Sequence, residues 1–135
     1  MNVEILTLCE DVQRREDGAY ILVNPFDAFR PATVPYTHAK CFVFGKIRFN
    51  KAGTYYLKAK LVDQNNKAVS LLFQGPIELD DSPHHSGSAS FPYRLNNLTF
   101  ERFGKYSIVL FVDDRKLFSV PCFVAPPSLK LPSPN

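Results

Sequence analysis

The chain has 135 residues, a formal net charge of +3, twelve Phe, six Tyr and no Trp. That length suits one domain with a sizeable core. No stretch approaches the ~20 consecutive apolar residues of a membrane helix, and no basic run exceeds two residues, which leaves out the clustered cations of a nucleic-acid groove.

Residues 1–10 have neither a basic opening nor a cleavage-like site, so they read as a first strand over 3–10 and not as a secretory signal. Residues 11–18 are polar and end in the turn signal Asp17-Gly18. Residues 19–23 form a second strand, ended by Asn24-Pro25, and Pro31 and Pro35 stiffen a crossing loop over 30–35. Residues 39–49 are a third strand whose apolar start suggests burial on both faces, with Gly45 suggesting a bulge.

Two stretches then read alike, one from Phe49 to Asp63 and one from Phe100 to Asp113. Each has Phe, then Gly four residues on, then Tyr two after that. Apolar residues follow at every second position: Tyr55, Leu57, Ala59 and Leu61 in one, Tyr106, Ile108, Leu110 and Val112 in the other. A period of two means a strand with one buried face. The Gly suits a sharp entry, and the Tyr stands where a tyrosine corner places it, its hydroxyl bonding nearby backbone. Each stretch opens a hairpin through an Asp-rich turn, into 68–73 in one case and 117–124 in the other. The likeness is read as recurring sheet geometry in preference to a duplicated unit.

Between the hairpins, Gln74-Gly75-Pro76 bends the chain before Ile77-Glu78-Leu79. A polar loop follows over 80–90, then a strand over 91–95 that Pro92 assigns to an edge or a bulge. Residues 125–135 hold four prolines and read as an extended tail. No segment has helical periodicity. The expected fold is all-β: a two-sheet antiparallel sandwich of about eight strands, immunoglobulin-like, with a jelly roll or barrel as the alternative. The domain spans 1–124 and the tail 125–135.

The run from Ile5 to Val12, then Arg15-Glu16-Asp17-Gly18-Ala19-Tyr20, Phe26-Asp27 and the two Gly-x-Tyr strands, resembles an uncharacterised bacterial β-sandwich domain family of unknown function. The resemblance covers residues 3 to 124. Ala19 departs from the Lys that usually follows the hairpin Gly in that family. The resemblance implies a small cytoplasmic sandwich and no catalytic residue.

Chemistry is sparse. Cys9, Cys41 and Cys122 are odd in number, lie among apolar residues and lack metal-ligand spacing, so free buried thiols in a cytoplasmic protein are expected. Asp80, Asp81, His84 and His85 are the one metal-capable cluster, although adjacent residues of an extended chain point apart. Asp63, Asp113 and Asp114 could join Asp80 and Asp81 at one end of a sandwich to hold calcium, but turn chemistry explains them as well. His38 precedes Cys41 by three residues and so points away from it in a strand, and no nucleophile elbow or phosphate loop is present. Phe29, Tyr36, Tyr56 and Tyr93 are candidate sugar-binding aromatics.

In the seventh expected strand, Val109 and Phe111 put apolar residues on the outward face, and the eighth, with Phe118, is also apolar on both faces in part. Another copy or a different protein is the natural cover. The sequence thus reads as a non-enzymatic binding or assembly module with a protein partner or as a homodimer, binding no cofactor, nucleic acid or membrane. The runner-up is a carbohydrate- or calcium-binding sandwich, and a hydrolase comes third.

Overall fold

Strands form wherever the alternating pattern runs, and they extend beyond it. The structure, a computed structural model, describes residues 1–80 and 87–127. Among these lie nine strands and no helix: β1 Asn2–Arg14, β2 Tyr20–Phe26, β3 Ala28–Phe29, β4 Tyr36–Arg48, β5 Gly53–Val62, β6 Ala68–Leu79, β7 Ser88–Phe100, β8 Gly104–Val112 and β9 Arg115–Val124. They build a four-stranded sheet of order β2-β1-β4-β7 and a five-stranded sheet of order β3-β9-β8-β5-β6, the latter curled into a half-barrel. Side chains of both sheets meet in one core cluster that includes Val43, Ile47, Leu57, Leu61, Phe100 and Leu110. Among the described residues no helix is long and apolar enough to cross a membrane.

The two look-alike stretches are the places where the chain crosses from one sheet to the other, β4 to β5 and β7 to β8. Gly53 and Gly104 take φ of 151° and 150°, values that L side chains rarely adopt. Directly inside, the Tyr55 hydroxyl donates to the Lys51 carbonyl at 2.7 Å and the Tyr106 hydroxyl to the Arg102 carbonyl at 2.7 Å. The preceding aromatic packs on each ring, Phe49 on Tyr55 at 4.4 Å and Phe100 on Tyr106 at 5.1 Å.

The likeness goes further than the sequence pattern. Gly53 pairs Leu79 as Gly104 pairs Val124, and Tyr56 pairs Pro76 as Ser107 pairs Pro121. Leu72 and Leu117 are each skipped by the ladder, bulged at the same rung, and both pack against the core. Thus β4-β5-β6 and β7-β8-β9 are two copies of one structural unit. They pair antiparallel with each other through β4 with β7 and β5 with β8. The first copy has the longer hairpin turn, closed by Asp63 Oδ1 accepting from the Asn65 and Lys67 amides.

The structure differs from the expectation at several points. The second strand runs through Pro25 to Phe26, because β2 is an edge where a missing N–H costs no ladder bond. The bent segment 77–79 stays in the same strand as 68–73 for the same reason at Pro76. A ninth, two-residue strand, β3, pairs with β9 in parallel, so pairing is not antiparallel throughout. Gly45 is not a bulge: it keeps register with both neighbours, and its missing side chain is replaced by the Phe91 ring of its cross-strand partner. The irregularity lies in β1, between Val3 and Ile5.

All three cysteines are free and buried. Burial pushes the Cys9 thiol above its ordinary range, that of Cys41 up to about 11 and that of Cys122 up to about 12. Neighbouring thiols add to the latter two shifts, as does Asp27 at Cys122. Raised folded values mean that the stability these thiols contribute is complete below pH 9 and is lost as pH rises through 11 to 12, because the unfolded chain ionises first.

Four outcomes follow from this packing. Tyr106→Ala should destabilise by about 3–5 kcal/mol in denaturant melts and Tyr55→Ala by less, since Tyr106 is buried and Tyr55 half-buried. Either Tyr→Phe change should cost ~1 kcal/mol or less, the worth of its hydroxyl bond. Gly45→Ala should cost about 1–3 kcal/mol because the new methyl meets the Phe91 ring, and the penalty should shrink in a Phe91→Leu background. Between pH 9 and 10 the native protein should show little thiolate absorbance from Cys41 and Cys122, with the full signal appearing on unfolding.

Candidate functional site

The free edges of both sheets are blunted against adding another strand. In β2, Pro25 follows Asn24 at φ 50°; in β7, Pro92 is joined by Asn97 at φ 55°. Pro121 lies within β9, whose end is also covered by β3. In β6, Pro76 sits at one end, and two bulges leave Val69 and Leu72 without ladder partners. A bulge re-aims side chains. Here it leaves Val69 41% and Leu71 49% exposed on one strand.

These residues border a groove. It runs between β6 and β7 as a cleft of about 440 Å³, with Arg94, Asn96 and Thr99 on the facing wall. Val69 and Glu101 also line an adjoining cleft of about 500 Å³ around the β5–β6 and β7–β8 turns. Phe103, 38% exposed, lies in that second cleft. Phe73 of β6 stacks on Tyr93 of β7 at 3.9 Å and meets Phe91 edge-on at 5.6 Å, so the two edge strands hold a fixed separation. Of four cations, Arg94 lines the groove and Lys67, Arg102 and Lys105 the adjoining cleft, against Glu101 at both and Asp63 at the second. None of the four is in an ion pair among the described residues. Asp63 is occupied by its own turn.

The residues singled out from the sequence fall elsewhere. Val109 is buried within the single chain, only 6% exposed. Its ladder neighbours are Lys60 and Ser119, and the Lys60 ammonium lies 5.5 Å from the centre of the Phe111 ring. A lysine stem can cover apolar surface while its head stays wet, so the burial of Val109 is met without a second chain. Phe118 is 43% exposed. It is the counterpart of Phe73 in the second structural unit, but β1, not an edge strand with a stacking aromatic, lies across from β9.

The acidic residues do not gather at one end. Because β5 and β8 are antiparallel, Asp63 lies at the opposite end of the sheet from Asp113 and Asp114. Asp113 accepts from the Tyr56 amide and Asp114 pairs with Lys58 at 3.2 Å, which is turn and ladder chemistry. Among the described residues no group of three or more His, Cys, Asp and Glu could hold a metal ion. Asp80 ends β6's segment, while Asp81, His84 and His85 lie outside the described residues. Of the candidate sugar-binding aromatics, Phe29 is buried and Tyr93 is half-buried against Phe73, leaving Tyr56 exposed and Tyr36 partly so.

Sequence reading passed over Val69, Leu71 and Phe103. The available signal was the apolar run after the Asp63 turn, but two bulges decide which of its side chains reach solvent.

The model of a family described as Family of unknown function (DUF6941) matches residues 4–125, nearly the span over which the resemblance was noted, and the chain belongs to that family. No curated protein matches the chain.

Proposed function

We propose that this member of a family of unknown function is a small immunoglobulin-like binding module that holds an acidic, apolar segment of a partner protein in the groove between β6 and β7. The strand order supports the fold reading: β1-β4-β7 opposite β9-β8-β5-β6 repeats the A-B-E and G-F-C-C′ arrangement, with a tyrosine corner opening the strand equivalent to F. A single core shared by both sheets supports a sandwich.

One observation carries the functional reading: Val69, Leu71 and Phe103 stand exposed along two adjoining clefts whose cations are in no ion pair among the described residues. Apolar anchors in a groove supply affinity, and unpaired rim charges select partners of opposite sign. The blunted edges favour capture by side chains over strand addition. A non-enzymatic role is supported by thiols that are buried and protonated at neutral pH, and by a His38 whose Nδ1 is bonded to the Tyr36 hydroxyl at 2.6 Å. Free thiols also support a reducing, cytoplasmic setting. The groove is preferred to the outer sheet face as the contact surface because Lys60 already shields Val109 and Phe111.

Selection of a displayed random-peptide library on the folded protein tests this. Enriched peptides should combine Asp or Glu with large apolar residues. They should bind Leu71→Asp and Phe103→Asp proteins at least about tenfold more weakly, and should weaken with added salt. Both substituted side chains are exposed, so the variants should melt like wild type. No enrichment, or peptides that bind the variants equally well, would remove the groove from consideration.

A further inference from the structure

A second concave site lies on the other side of the molecule, where β2, β3 and the start of β4 come together, and it does not depend on the groove. It is a cleft of about 490 Å³. Its wall is an aromatic cluster: Phe29 lies 5.1 Å from Phe26 and 4.9 Å from the His38 ring, and Tyr36 lies 5.9 Å from His38. The Tyr36 hydroxyl and His38 Nδ1 share a hydrogen bond of 2.6 Å, and no bond from the other ring nitrogen to a described residue is found. Arg30 and Lys40 line the same cleft, and neither is in an ion pair among the described residues. The one carboxylate there, Glu10, accepts a hydrogen bond of 3.2 Å from the Asn24 amide group.

We propose that this cleft binds a small aromatic carboxylate. Its volume falls in the range of small-molecule sites, which combine an apolar wall with a few placed polar groups. Offset or edge-on packing against the half-buried Phe26 and Tyr36, backed by the buried Phe29, suits a planar ring. Arg30 and Lys40 supply two donors for a carboxylate, with the guanidinium able to bind it through two parallel bonds. The tyrosine bond fixes the His38 ring, so its free nitrogen is held in place as a further contact. Glu10 is the opposing charge and sets a limit on affinity. Recognition is by non-covalent binding alone.

Nitrogen-15 NMR titration of the intact chain with benzoate, and with benzyl alcohol as its neutral counterpart, tests the proposal. Benzoate should shift amides near Phe26, Arg30, Tyr36 and His38 at concentrations of about 1–10 mM, as expected for a ligand of that size. Benzyl alcohol should bind at least about tenfold more weakly, the difference one charge-assisted contact supplies. The double change Arg30→Gln with Lys40→Gln should weaken benzoate by a similar factor at unchanged melting temperature, and Glu10→Gln should tighten it. Absence of shifts, shifts confined to other surfaces, equal binding of the alcohol, or unchanged affinity in the double variant would each overturn the site.

Discussion

The structure depends on one short hydrogen bond made twice. At each passage between the sheets, a tyrosine hydroxyl reaches back to the carbonyl four residues earlier. The bond satisfies a polar atom at the rim of the core and closes the crossover loop over it. Because Phe49 and Phe100 then pack on the tied rings, the loop, the ring and the end of the preceding strand become one rigid corner. The register of β5 and of β8 is set from that corner, and the outer strands β6 and β9 take their positions from those two. The shared rungs at Pro76 and Pro121, and the shared bulges at Leu72 and Leu117, follow from starting two ladders in the same way.

The two units are not equivalent in their surroundings, and that asymmetry makes the surface features. β1 and β2 extend the four-stranded sheet beyond β4, while β7 is left at the edge. Phe73 therefore finds Tyr93 to stack on, whereas its counterpart Phe118 stays largely exposed. The longer turn after Asp63 brings a second bulge, at Val69, that the β8–β9 hairpin lacks. The groove between β6 and β7 thus arises from an unequal environment around similar parts. At the other side, β3 crosses to the five-stranded sheet and brings Phe29 under β4's aromatic start, which forms the second cleft.

The distribution of charge agrees with this division. Carboxylates near the hairpin ends are occupied locally: Asp63 by its turn, Asp113 by the Tyr56 amide and Asp114 by Lys58. Cations around the groove and in the aromatic cleft are in no ion pair among the described residues, although Arg94 Nε donates to Asn96 Oδ1 and Lys40 lies over the Phe42 ring. Lys67, Arg94, Arg102 and Lys105 stand around the first concave place, and Arg30 and Lys40 at the second. The buried thiols of Cys41 and Cys122 belong to the core in both position and protonation, and have no counterpart at either cleft.

Much of this was legible in the sequence. The alternation at Leu57, Ala59 and Leu61, and at Tyr106, Ile108, Leu110 and Val112, determined two buried strand faces, because side chains of a strand point to opposite sides in turn. Gly-x-Tyr determined the corners, because a positive φ and a hydroxyl at that spacing have few other uses. What the tertiary structure alone decided were relations between strands distant in the chain. Gly45 read as a bulge until Phe91, from a strand 46 positions away, was found over it. Asp63 and Asp113 read as neighbours until antiparallel pairing sent them to opposite ends. Val109 read as uncovered until Lys60 lay across from it. Period and turn chemistry are local properties of the chain, whereas pairing partners, edges and clefts are set by which long-range arrangement buries the whole core at once, and no single segment encodes that.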